Sequence, residues 1–387
     1  MMMKTKKYAF NFTQILLALV LVGSVATAKP GNDEDTKLTK TITKGFVLPK
    51  NGSVELKNKY GQIVVNNSED DSVRVSILVT AFGKDYSSAN KILSRVDFDF
   101  DQTNQYITIE TLLDRKSGFI KEVWNNIGDA SKALLSKNKL EVDYEIYIPK
   151  WAQLNLENKF GDVYLHERDG PCEITVSHGN LRANAFNARA NIEASFGDVK
   201  IKYLKSGNLT LKAAEADIQK IGEVDMKSSS SEIRVKEAIE LKVDSRSDKL
   251  LRIGKINRLS GKGLFSKITV ERLDRSIDMD MNYGEIESSE VVFNFSRIDI
   301  SGRSTDIQLY FEDQSYVELD IEAKQEDLSL PVERSDVNTS YLDDKGKYVK
   351  VTGNIGTKNN YPGRVTIKAQ GGDVDINFLG PDQSAKN

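Results

Sequence analysis

A single cysteine, Cys172, stands in a chain of 387 residues, so no internal disulfide framework can form. Histidine is almost as scarce. His166 and His178 are the only two, and zinc needs clustered Cys or His at short spacing, so no metal site and no cofactor are expected. There are only seven prolines. That scarcity suits a chain made mostly of β-ladder, because proline has no N–H to donate. Charge of one sign is lacking too: 54 Lys and Arg face 57 Asp and Glu, a net of -3. No basic field covers the whole chain, so a nucleic-acid partner is not expected.

Long apolar runs are confined to the first 28 residues. There Lys4, Lys6 and Lys7 precede the run Ile15 to Val22, and Ala26-Thr27-Ala28 follows it. This is the arrangement of a cleaved secretory signal. Interrupted by Asn11 and Gln14, the apolar stretch falls short of the ~20 residues that cross a bilayer. Cleavage removes three Lys and no acid, which takes -3 to -6. It leaves no transmembrane span, and the mature chain is expected in the periplasm or at the cell surface.

What the sequence has in quantity is repetition. An aromatic-Gly-polar-aliphatic turn appears as Tyr60-Gly61-Gln62-Ile63, Phe160-Gly161-Asp162-Val163, His178-Gly179-Asn180-Leu181, Phe196-Gly197-Asp198-Val199 and Tyr283-Gly284-Glu285-Ile286. Weaker copies read as Ala216-Asp217-Ile218, Ser231-Glu232-Ile233 and Ser266-Lys267-Ile268. Taking the aliphatics as Val163, Leu181, Val199, Ile218, Ile233, Leu251, Ile268 and Ile286, the steps are 18, 18, 19, 15, 18, 17 and 18 residues. A fixed short period marks a stacked repeat. Each repeat holds apolar-polar-apolar triplets such as Val199-Lys200-Ile201 and Leu241-Lys242-Val243, whose outer residues share one face of a strand. One repeat alone cannot bury enough to offset its backbone entropy, so the repeats must stack. Glycine at the turn is expected to supply a positive φ.

The expected fold is all-β: a parallel β-solenoid (β-helix) with short coils of about 18–21 residues. The expected organisation is a signal peptide at 1–28, a disordered mature N-terminus at 29–39, and an N-terminal β-rich unit at 40–150. Solenoid repeats follow at 151–330, then a loop and C-terminal capping coil at 331–380 and a disordered tail at 381–387. Helical spacing of Ala89, Ile92, Leu93 and Val96 predicts a short helix capped by Ser87 or Ser88. Residues 113–138 read as a partly helical insertion, with Trp124 as a partner contact or a packing residue.

These features together carry a family likeness: the secretory signal, the Asn-x-aromatic-Gly turns, Tyr144-Glu145-Ile146-Tyr147-Ile148-Pro149 and the late Gly372-Asp373-Val374 coil. Over roughly residues 40–380 the chain resembles the bacterial putative-adhesin family of β-strand-repeat proteins. It is also similar to the head GIN domain auto-transporter adhesin-like proteins common in Bacteroidetes. The resemblance implies a non-catalytic β-helical envelope protein, an adhesin or interaction scaffold, and brings no catalytic residues. A regulatory partner of a membrane protein is the alternative. A polysaccharide-active β-helix enzyme comes last, since no nucleophile motif is present.

Two stripes are candidates for chemistry. Acids recur at the turns, as Asp162, Asp198, Asp217, Glu232, Glu285, Asp306 and Asp327, and read as solvated turn residues. The middle residues of the second strands run Tyr164, Arg182, Lys200, Gln219, Arg234, Arg252, Thr269, Glu287. In register, Arg182, Lys200, Arg234 and Arg252 form an anion-binding face for surface glycan or lipid headgroups, unless Glu173, Glu193, Asp225 and Glu240 neutralise it. The partner is otherwise an unidentified envelope protein.

Overall fold

The computed structural model describes residues 36–113 and 139–380. The signal, the 114–138 stretch with Trp124 and the last seven residues lie outside the described residues. The chain is all-β with a long, mostly parallel sheet. Strands β1 (Thr36–Val47), β2 (Ser53–Lys59), β3 (Ile63–Ser68) and β4 (Ser72–Gly83) precede α1 (Tyr86–Leu93), the one α-helix among the described residues. Then come β5 (Val96–Gln102), β6 (Tyr106–Leu113), β7 (Leu140–Pro149), β8 (Gln153–Lys159), β9 (Val163–Leu165) and β10 (Cys172–Ser177). The long strands are β11 (Leu181–Ser195), β12 (Asp198–Lys212), β13 (Glu215–Ser229), β14 (Glu232–Arg246), β15 (Leu250–Leu264), β16 (Lys267–Val291) and β17 (Arg297–Phe311). The chain closes with β18 (Tyr316–Lys324), β19 (Leu328–Ser329), β20 (Ser335–Tyr341), β21 (Tyr348–Gly356), β22 (Pro362–Gln370) and β23 (Val374–Phe378).

Strands β11 to β15 each bend once and pair with a neighbour on both sides of the bend, while β16 runs through the second ladder, the first and the second again. The second halves of β11 to β15, and the first half of β17, continue a first ladder that runs β6, β2, β8, β10 and onward. The first halves of β11 to β15, and the second half of β17, continue a second ladder that runs β7, β3, β9, β11 and onward. The sequence from residue 53 onward thus joins the same two ladders as the later repeats. Residues 36–39, expected to be disordered, open β1, which pairs antiparallel with β4. The helix is capped by Asp85 rather than by Ser87 or Ser88: its carboxylate accepts the Ser88 N–H at 2.7 Å.

Alternation sets the core. In the second ladder Val163, Leu181, Val199, Ala216, Ile233, Leu251, Ile268 and Ile286 point inward, each no more than 1% exposed. This column corrects the repeat spacing. Val199 pairs with Ala216, and Ala216 with Ile233, so Ile218 belongs one inward position further on. The uneven steps of 19 and 15 become 17 and 17.

The turn chemistry also differs from expectation. The residue with positive φ is the aromatic and not the glycine: Tyr60, Phe160, His178, Phe196, Phe265 and Tyr283 have φ between 51° and 65°. Ala213, Ser230 and Ser247 take the same conformation in the intervening rungs. Glycine follows because there is no room for a side chain. A Cβ on Gly161 would lie 1.9 Å from the Gly61 carbonyl oxygen, and one on Gly179 2.0 Å from that of Gly161. The left-handed backbone is offset by stacking. Tyr60, Phe160, His178 and Phe196 form one continuous pile with centroids 5.4, 5.0 and 4.7 Å apart, and Phe265 stacks on Tyr283 at 5.0 Å. Such pairs contribute about 0.5–1.5 kcal/mol each. The preceding Asn completes the turn: Asn158 Nδ2 donates to the carbonyls of Gly61 and Gly161 at 2.9 and 3.0 Å.

The C-terminal coil is not a cap. Strand β22 lies between β17 and β18 in the first ladder, and β23 lies between β17 and β19 in the second. The chain passes over this level, makes the antiparallel β20–β21 pair on the far side of β18, and returns to fill the gap. Residues 331–363, expected as loop, thereby hold two strands.

Arg168 is the largest side chain among the fully buried residues. Its guanidinium donates to the carbonyls of Ile148, Pro149 and Ala152 at 3.2, 2.7 and 3.1 Å, pinning the β7–β8 connection to the next rung. Burial holds its pKa below the ordinary arginine value. Arg168→Met keeps most of the volume but strips donors from these carbonyls. The expected loss is about 3 kcal/mol, read as a lower midpoint in chemical denaturation; an unchanged midpoint would show that the carbonyls find other donors.

Candidate anion-binding groove

The outward residues of the second ladder place the basic stripe. Their register runs Tyr164, Arg182, Lys200, Asp217, Arg234, Arg252, Thr269. Asp217, and not Gln219, lies between Lys200 and Arg234. The four predicted cations do share one face, but as two pairs separated by a carboxylate.

The two pairs differ in their surroundings. Arg234 is ion-paired to Glu232, and Arg252 Nη1 lies 3.6 Å from Glu271. Arg182 has no carboxylate partner among the described residues; its guanidinium sits over the Tyr164 ring, 5.7 Å from the centroid. Lys200 and Lys202 likewise make no ion pair there. The expected neutralisers are elsewhere: Glu173, Glu193, Asp225 and Glu240 point out from the first ladder, where Glu193 pairs with Lys212 and Glu240 with Arg258. Neutralisation thus holds for half of the stripe, by acids other than those expected.

A groove of about 470 Å³ runs along the unpaired half, lined by Tyr164, His166, Arg182, Lys200, Lys202 and Asp217 among others. A second hollow of about 290 Å³ continues it past Arg234, Lys236, Arg252 and Gly254. Lys202 and Lys236 were not among the cations expected from the sequence. Each is the next outward residue of its strand, and extending the triplet Val199-Lys200-Ile201 by one position finds Lys202.

The acidic stripe has a different register and a structural task. Its column is Asp162, Asn180, Asp198, Glu215, Glu232. Asp162 Oδ1 accepts the N–H of Asn180, and Asn180 Oδ1 accepts the N–H of Asp198, both at 2.9 Å. Asp143 does the same for Gln62, and Asp306 for Asp373. A carbonyl oxygen serves as well as a carboxylate, which is why Asn180 can interrupt the acids. Asp248 is a buried variant, accepting from the Ser231 N–H and from the hydroxyls of Ser228 and Ser245.

The remaining candidates for chemistry are committed elsewhere. The His178 ring is held between Phe160 and Phe196. Cys172 is buried, and burial pushes its thiol up to about 11, so it stays protonated at neutral pH. At the bend between the ladders Arg272 bridges Asp274, Glu290 and Glu312. Burial holds the Glu290 carboxyl above its ordinary 4.5; Arg272 opposes the shift and Glu312 reinforces it. The folded state therefore binds this proton more tightly than the unfolded one. Its contribution to stability is present below 4.5 and is lost as pH rises through the folded value. Glu290→Gln should flatten that part of the profile, seen as a smaller fall in Tm from about pH 4 to pH 7; an unaltered slope would refute the assignment.

No family model matches the chain, and no curated protein matches it. Among solved structures, matches are found at low identity and low TM-score. A "putative cell adhesion protein" from Clostridium sporogenes is 11% identical, covering 89% of this chain and 100% of its own, with a TM-score of 0.17. A "putative adhesin" from Bacteroides fragilis is 13% identical, covering 88% and 97%, at 0.25. A "putative lipid binding protein" from Parabacteroides distasonis is 9% identical, covering 88% and 97%, at 0.27.

Proposed function

We propose that this is a non-catalytic interaction protein of the cell envelope, an adhesin-like scaffold wound as a parallel β-solenoid that presents a ligand-binding face on the exterior of its second ladder. Export rests on the basic, apolar and small-residue segments of the first 28 residues. The solenoid rests on the parallel pairing of successive strands from β11 to β17 in both ladders, continued by β9 in one and β10 in the other.

The observation that carries the reading is the alignment of Arg182, Lys200, Arg234 and Arg252 on one exposed face of a chain whose net charge is negative. Like charges one rung apart repel; Arg182 and Lys200 make no ion pair among the described residues, and Asp217 on the far side of Lys200 is the one carboxylate in the column beside them. An anionic ligand would relieve that repulsion. Full-length protein should be retained on immobilised anionic ligands and released by salt, because exposed charges are screened within ~8 Å at physiological ionic strength. Replacing all four residues with Ser should abolish the salt-sensitive part. Unchanged retention, or none by the parent, would discard the reading.

A further inference from the structure

We propose that the ligand of this face is an acidic polysaccharide bearing carboxylates, gripped by Arg182, Lys200 and Lys202 in the groove beside Tyr164; the inference rests on the anion-binding reading above and names its ligand. Three observations carry it.

The first is where the charge is free. Arg182 and Lys200 are paired directly across adjacent strands, and Lys202 is the next outward residue after Lys200. All three are exposed, and the groove of about 470 Å³ runs between them. At the other end of the stripe Glu232 and Glu271 already hold the guanidinium groups.

The second is the shape of the charge. The column Asp162, Asn180, Asp198, Glu215 runs beside the cations, two residues earlier on each strand and so roughly 6.6 Å away on the same face. A flat anionic bilayer resting on the cations would also press against these carboxylates. A narrow chain lying over Arg182, Lys200 and Lys202 meets three cations and one carboxylate, Asp217, at the next rung. Its charges recur along its length, as the rungs do at ~4.8 Å.

The third is the floor. Tyr164 is half-buried, its hydroxyl tied to Asp162 Oδ2 at 3.1 Å, and its ring supports the Arg182 guanidinium. The groove so offers an apolar surface for the C–H face of a sugar ring next to donors for its carboxylate. Arg182 is oriented for that task because a planar guanidinium takes a carboxylate through two parallel N–H bonds.

The test is calorimetric titration of the full chain with polygalacturonate, alongside a neutral glucan, inorganic phosphate and vesicles containing phosphatidylglycerol. The expected result is salt-sensitive binding to polygalacturonate and none to the neutral glucan. The variant R182S/K200S/K202S should bind about tenfold more weakly, while R234S/R252S changes affinity less than twofold. These positions are exposed, so both variants should keep the parent Tm. Equal loss in the two variants overturns the proposal, because the unpaired half would then have no special role. Vesicle binding that exceeds polygalacturonate binding and is lost in the triple variant overturns the glycan while leaving an anion-binding face intact. Absence of binding to every anionic probe overturns both.

Discussion

Ile233→Asp should cost several kcal/mol, whereas Arg234→Asp, one residue away, should cost less than about 1 kcal/mol. Ile233 is 0% exposed, between Ala216 and Leu251 in the inward column. Its replacement forfeits about 1.5–3 kcal/mol of apolar burial and adds a carboxylate with no cation facing it in the interior. Arg234 points outward and holds Glu232 in an exposed pair, an interaction worth little in solvent. Thermal unfolding followed by circular dichroism separates the two variants. Equal midpoints would mean that the inside and outside of the second ladder have been exchanged.

Removing residues 357–387 should do more than shorten the molecule by one end rung. Strands β22 and β23 are interior to their ladders, and Val365, Ile367, Val374 and Ile376 are each 0% exposed. Their burial contributes about 6–12 kcal/mol in all. Phe295 packs so closely over Gly363 that a Cβ there would lie 2.2 Å from its ring. In the truncated chain β17 and β18 lose their shared partner. Hydrogen exchange should show β18, β20 and β21 unprotected while β9 to β16 keep their protection. Intact protection of β18 would indicate that it closes directly onto β17 and that the interleaved coil is dispensable. A chain ended at 330 never builds the overpass and should protect β18 better than the chain ended at 356.

The alternation of inward and outward residues was legible in the sequence, because side-chain direction in a strand is a local property with a period of two. The aliphatics of Leu181, Val199, Ile233 and Leu251 could be placed inside without knowing any partner strand, and His178 and Cys172 could be set aside as turn and core residues. Register between rungs is a different matter. A slip of one residue turns a strand inside out and would have been noticed. A slip of two keeps every apolar residue inward, so Ile218 and Ala216 looked equally suitable opposite Val199. That is why Gln219 stood in the stripe where Asp217 belongs, and why the stripe first read as less divided than it is.

The sequence by itself determined that this chain would be β-rich, repetitive and apolar on one side of each strand, since those follow from composition and local period. Only the tertiary structure decided three things. The positive φ falls on the aromatic and not on the glycine, because what excludes a side chain at Gly161 is the carbonyl of Gly61, 100 residues earlier. The C-terminal coil enters between β17 and β18, a choice among sheet edges that no local pattern records. And Arg182, Lys200 and Lys202 make no ion pair among the described residues while Arg234 and Arg252 do, because ion pairing depends on which side chains the register brings within a few ångströms.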